Sequence, residues 1–120
     1  MFRVDYDPRL NLMWISVKGF WTLDTVPMLA TAIGTKVQEI RARRDDFDVI
    51  VESLDFPVQA NDVADSLSNI MAAGMTLTSG RAAIVVGSIL NRLQVERTLV
   101  HPRLSAFPSL EAALAWLGKA

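Results

Sequence analysis

Two short runs, Val49-Ile50-Val51 and Ala82-Ala83-Ile84-Val85-Val86, are apolar at every position. A half-exposed strand alternates apolar and polar residues. A strand without alternation is covered on both faces, as interior parallel strands of layered α/β domains are. Parallel neighbours cannot be joined by a tight turn, so each run calls for a crossover, usually a helix. The rest of the chain has to supply those crossovers.

It does. Phe2, Val4 and Tyr6 alternate with Arg3, Asp5 and Asp7, and Asp7-Pro8-Arg9 is a turn signal. A second strand runs from about Leu12 to Lys18, with Met13, Ile15 and Val17 on one face and Leu12, Trp14, Ser16 and Lys18 on the other. Together they make an antiparallel hairpin. After Gly19-Phe20-Trp21-Thr22, either Thr22 or Asp24 is a candidate cap for a helix whose apolar stripe is Val26, Leu29, Ala30, Ile33, Val37 and Ile40. Pro27 fits only in or beside its first turn. Arg41, Arg43 and Arg44 suit its negative end.

Phe47 to Leu54 reads as the third strand, broken by Asp55-Phe56-Pro57. Asn61 or Asp62 then caps a helix carrying Val63, Ala64, Leu67, Ile70 and Met71. Ser79-Gly80 turns into the fourth strand, Ala82–Val86, and Gly87-Ser88 leads to a helix over roughly Ile89–Leu99. A short strand near Leu104–Phe107 and a last helix, capped by Ser109, complete the order β-β-α-β-α-β-α-β-α. The expectation is one domain over residues 1–120, an α/β fold with a mixed, mostly parallel sheet of about five strands. The opening strand should run antiparallel at an edge, beside about four helices with right-handed crossovers.

Composition narrows the function more by exclusion than by assignment. Apolar residues make up 51%, and trading the one Tyr for the six Gly puts the usual apolar share at about 55%, against 45–50% for globular domains. That surplus implies a second buried surface: a homodimer or other protein interface, or a pocket for a small apolar ligand. Net charge of −1 argues against nucleic acid and anionic membrane. No Cys and a single His leave no ordinary transition-metal site, and no cofactor motif is present. No apolar run approaches the ~20 residues of a membrane span. Met1-Phe2-Arg3-Val4-Asp5 lacks the apolar stretch of a signal peptide, so a cytoplasmic location is expected.

Catalytic candidates are thin. His101 lies between Arg97 and Arg103 with no second His, and no Gly-x-Ser-x-Gly elbow is present. An enzyme would need Ser88 or another hydroxyl beside His101 or a carboxylate. A non-enzymatic protein is expected, with catalytic and metal residues absent. The loop Asp55–Asp62 lies beyond the carboxyl end of a parallel strand, where ligands of open α/β sheets bind. Ser88 occupies the same place after the next strand. Trp14 shares a strand face with Ser16 and Lys18, so its ring is a candidate contact surface. Met28, Met71 and Met75 would line any crevice that the helices leave.

Three stretches resemble the STAS family of anti-sigma-factor antagonists and sulfate-transporter domains, and its small bacterial, CRAL-TRIO-related relatives. They are Gly19-Phe20-Trp21-Thr22, Arg81 through Ser88 with Leu93-Gln94, and Phe107-Pro108-Ser109 through Leu117. The resemblance implies a STAS-like fold and a docking module, or a relative with a ligand-binding crevice. Antagonists of that family are phosphorylated on a Ser or Thr where the third strand enters the second helix. The matching segment here, Leu54 to Asp62, contains no hydroxyl residue; Ser53 is too early and Ser66 lies about a turn inside the helix. A phosphorylation switch is not expected. The expected working surface is Asp55, Gln59, Asn61 and Asp62, with Ser88 and Trp14.

Overall fold

Asp7 makes the first reversal by accepting hydrogen bonds from the backbone N–H groups of Arg9 and Leu10, at 2.9 and 3.2 Å. The turn closes on Asn11, which adopts a left-handed φ of 51° that Asn tolerates better than most residues. This joins β1 (Phe2–Asp7) to β2 (Leu12–Val17) as an antiparallel pair in register Phe2↔Val17 to Asp7↔Leu12. The computed structural model describes residues 1–119.

From β2 onward every pairing is parallel. β3 (Asp48–Ser53) lies beside β2, β4 (Ala82–Val86) beside β3, and β5 (Leu104–Phe107) beside β4. The sheet runs β1-β2-β3-β4-β5 without reversal. Right-handed crossovers in a sheet that always advances in one direction place all connecting helices on one face. These are α1 (Thr25–Arg41), α2 (Asn61–Met75) and α3 (Ile89–Thr98). They cover Met13, Ile15, Val17, Val49, Ile84 and Val86. α4 (Leu110–Trp116) packs alone on the opposite face, over Leu12, Ile50, Ala83 and Val85. β4, covered from both sides, is buried at all five positions, which is why its sequence shows no alternation.

Helix starts divide by backbone geometry. Ser88 and Ser109 are extended, and their hydroxyls accept from the N–H groups of Asn91 and Ala112 at 3.1 Å each, the second as expected. The other two starts differ from the sequence reading. Asp24 occupies the cap of α1 with helical φ and ψ of −66° and −28°, and its carboxylate makes no cap bond. At α2 the cap position is Ala60, so Asn61 and Asp62 lie inside the first turn instead of capping it. Pro27 is the third residue of α1, where its missing N–H costs no helical bond.

The sheet's amino-terminal edge is held by Asp46. Its carboxylate accepts from Ser79 N and Ser79 Oγ, both at 2.7 Å, from Gly80 N at 3.1 Å, and from the Thr78 hydroxyl. Burial pushes its pKa up, but hydrogen bonds from Thr78, Ser79 and the Phe47 backbone outweigh it and hold the carboxyl at about 2. Arg103 donates to Thr78 O, Gly80 O and Met75 O, at 2.9, 2.5 and 2.8 Å, and so clamps the end of α2 to this edge.

Candidate functional site

At the carboxyl edge of the sheet three loops follow β2, β3 and β4, and one residue, Gln59, laces the first two together and ties them to α3. Gln59 is 3% exposed. Its Oε1 accepts from Trp21 N at 2.8 Å, and its Nε2 donates to Gly19 O at 3.1 Å and Pro57 O at 2.7 Å. Its backbone N–H donates to Gln94 Oε1 at 2.9 Å, and Gln94 Nε2 returns a bond to Gln59 O at 2.9 Å. Asn91 donates from Nδ2 to Phe56 O. Gly19 N also donates to Asp55 O at 3.0 Å. Trp21 stacks edge-on against Phe56 with ring centroids 5.2 Å apart.

The edge is therefore closed. Strand order never reverses, so no switch-point crevice opens between the loops, contrary to the expectation drawn from their position. The loop after β4 is drawn in as well: a Cβ on Gly87 would sit 2.2 Å from Leu54 O, so only glycine lets these backbones meet.

This lacing fixes the orientation of α3. Its inward side carries the polar Asn91 and Gln94, which bond the β3–α2 loop, together with Val95. Its apolar residues are thereby turned outward: Ile89 is 80% exposed, Leu90 68% and Leu93 56%. Phe20, Leu54 and Val58, on the loops tied to α3, are exposed as well. Large apolar side chains grouped at one edge are the usual mark of an interaction surface. Asp24, Asp55, Asp62 and Asp65 are exposed on the same loops and helix starts. Among the described residues, Lys18 stands unpaired at this edge, whereas Arg92 is paired with Glu96 at 2.8 Å.

The residues expected to form the site separate into three groups. Asp55, Asn61, Asp62 and Ser88 are exposed at this edge, with Ser88 Oγ engaged as the α3 cap. Gln59 is buried and presents no free amide group, so its role is to brace the surface from below. Trp14 is half-buried on the opposite sheet face, against the cluster under α4, and does not join the others. Ile89, Leu90 and Leu93 were not among the expected residues.

Ser88 and His101 stand beyond opposite ends of α3, whose 10 residues span roughly 15 Å. The two do not form a hydroxyl–imidazole pair. His101 Nδ1 instead accepts from Arg103 N at 3.1 Å.

A second feature lies inside. Between the sheet and α1, α2 and α3 is a partly open cavity of about 120 Å³, lined by side chains of which none is charged. Met71 and Met75 line it; Met28 does not, being exposed on α1. α2 forms its roof and brings no Cα within 8 Å of any strand, unlike α1, α3 and α4.

No family model matches this chain, and no curated protein matches it. Among solved structures it is similar to an anti-sigma factor antagonist from Mycobacterium paratuberculosis, at 18% identity over 98% of this chain and 95% of that one, with a TM-score of 0.70. It is equally similar in shape to the anti-sigma factor antagonist SpoIIAA in its unphosphorylated form, at 14% identity, 98% and 97% coverage and a TM-score of 0.70. A DUF3478-family protein with a SpoIIAA-like fold from Shewanella loihica matches at 12% identity, 97% and 93% coverage and a TM-score of 0.71. The fold of this chain is STAS-like.

Proposed function

We propose that this chain is a non-enzymatic regulatory module of the STAS type that docks a protein partner through the carboxyl edge of its sheet. The observation that carries the reading is the inverted α3, which spends its inward side on polar lacing and offers Ile89, Leu90 and Leu93 to solvent. The antagonist proteins of the same fold favour a protein partner over a substrate. The acidic rim of Asp24, Asp55, Asp62 and Asp65 suits a partner with an apolar centre and basic flanks, or a second copy docking by the apolar centre alone.

Docking here runs without the phosphorylation switch. Leu54 to Asp62 offers no hydroxyl, and Ser53, just before it, is buried with its Oγ donating to Val85 O. Regulation, on this reading, comes from the partner's availability.

The test is the pair of double variants Leu90→Lys/Leu93→Lys and Asn61→Arg/Asp62→Arg, checked for native circular dichroism. Crosslinking and pull-down from the source cell, with sedimentation for self-association, should give a complex with the wild type that both variants weaken at least tenfold. A complex unchanged in both variants, or weakened as much by a variant of the opposite face such as Ser16→Lys, refutes the assignment.

A further inference from the structure

Independently of any docking partner, we propose that the cavity beneath α2 is a binding site for a small, uncharged, apolar ligand, of the size of a single aromatic ring or a short alkyl chain. Its volume of about 120 Å³ is close to that of the engineered apolar cavity, roughly 150 Å³, that takes up benzene. The walls are apolar side chains of three strands and three helices, among them Met13, Ile15, Val51, Leu67, Met71 and Ile84.

Apart from Asn91 Oδ1, its polar lining groups are already engaged. Ser53 donates to Val85 O, Thr98 Oγ1 donates to Gln94 O at 2.7 Å, and the amides of Gln59 and Gln94 are tied up in the loop lacing. A charged guest would lose its water and find no counter-charge. Shape and dispersion are left as the chief means of recognition, with Asn91 Oδ1 as a lone acceptor.

The space is built to stay open. α2 is pinned at its start by the Gln59–Gln94 bonds, along its length by Ser68 donating to Thr98 O, and at its end by Arg103 donating to Met75 O. All three ties run to neighbouring helices and loops, and none pulls the helix onto the sheet. Gly74 keeps the roof thin: it lines the cavity, and a Cβ placed on it meets nothing within 4 Å. A larger residue there meets no neighbour that would exclude it, and it stands at the wall of the cavity.

Toluene is the probe, benzoate its charged counterpart, and methyl-labelled protein followed by NMR the readout. Toluene should shift the methyl signals of Ile15, Val51, Met71 and Ile84 saturably, and benzoate should leave them in place. Gly74→Leu should weaken toluene binding at least tenfold, with Gly74→Ala between it and the wild type. No saturable shift in the wild type overturns the proposal, as does equal binding of benzoate or full affinity in folded Gly74→Leu. Shifts confined to Leu90 and Leu93 would put toluene on the surface patch and overturn it too. The wild-type titration decides even if Gly74→Leu does not fold.

Discussion

Replacing Gln59 by Ala removes one side chain that the loops after β2 and β3 share. Three hydrogen bonds disappear, from Trp21 N at 2.8 Å and to Gly19 O and Pro57 O at 3.1 and 2.7 Å. They do not cost the same. Gly19 and Pro57 are exposed residues, so their carbonyls can turn to water at little cost. Trp21 is 2% exposed, and its N–H would be stranded in the core. An orphaned buried donor costs about 1–3 kcal/mol, and loss of the packed side-chain stem adds to it. The expected destabilisation is about 2–3 kcal/mol. In urea, with m of roughly 1–3 kcal/mol/M, the midpoint should fall by about 0.7–3 M at unchanged m. Gln59→Glu keeps the acceptor for Trp21 N but turns oxygen towards two carbonyls, so it should not rescue. Gln94 bonds the main chain of Gln59 from α3, so Gln94→Ala combined with Gln59→Ala should lose less than the sum of the two. A loss under about 0.5 kcal/mol for Gln59→Ala would refute the view that this amide holds the edge together.

Asp46 gives a pH signature. Its folded pKa of about 2 lies below the reference value of 3.8, so its carboxylate stabilises the fold above about pH 4. That contribution fades as pH falls through 2. Allowing for screening at this half-exposed site it amounts to about 1–2 kcal/mol, and Asp46→Asn should flatten the dependence of the unfolding midpoint between pH 4 and 2. Gly87→Ala forces a methyl against Leu54 O, 2.2 Å from the ideal Cβ, and should cost about 1–3 kcal/mol by thermal unfolding. If it is neutral, the loops after β3 and β4 are looser than their contact implies.

Much of this architecture was readable in the chain because burial and periodicity coincide. β3 and β4 announce themselves because helices cover them from one side and α4 from the other. Ser88 and Ser109 behave as caps because extended backbone lets a hydroxyl reach back to the helix. Asp24 does not, since its own backbone is already helical. Asn61 and Asp62 lose the cap of α2 because the chain is pinned one step earlier, at Gln59, which leaves Ala60 at the boundary. The orientation of α3 was not readable. Apolar residues at Ile89, Leu90, Leu93, Val95 and Leu99 are spread around the helix, so the pattern favours neither face. Only the tertiary bonds of Asn91 and Gln94 decide which side turns in.

That decision links the two features of the molecule. Phe56, Gln59, Asn91 and Gln94 line the cavity on one side and hold the carboxyl edge of the sheet on the other. A sheet whose order never reverses has no crevice at its carboxyl edge, so its loops must satisfy one another, and amide side chains are the groups that can bond several backbones at once. Spending the inward side of α3 on those amides has two consequences. The helix contributes less apolar filling beneath itself, which leaves space between sheet and helices. Its remaining apolar residues have nowhere to go but outward. Cavity and surface patch are thus two results of one local exchange, polar lacing in place of apolar packing, made where β4 passes into α3.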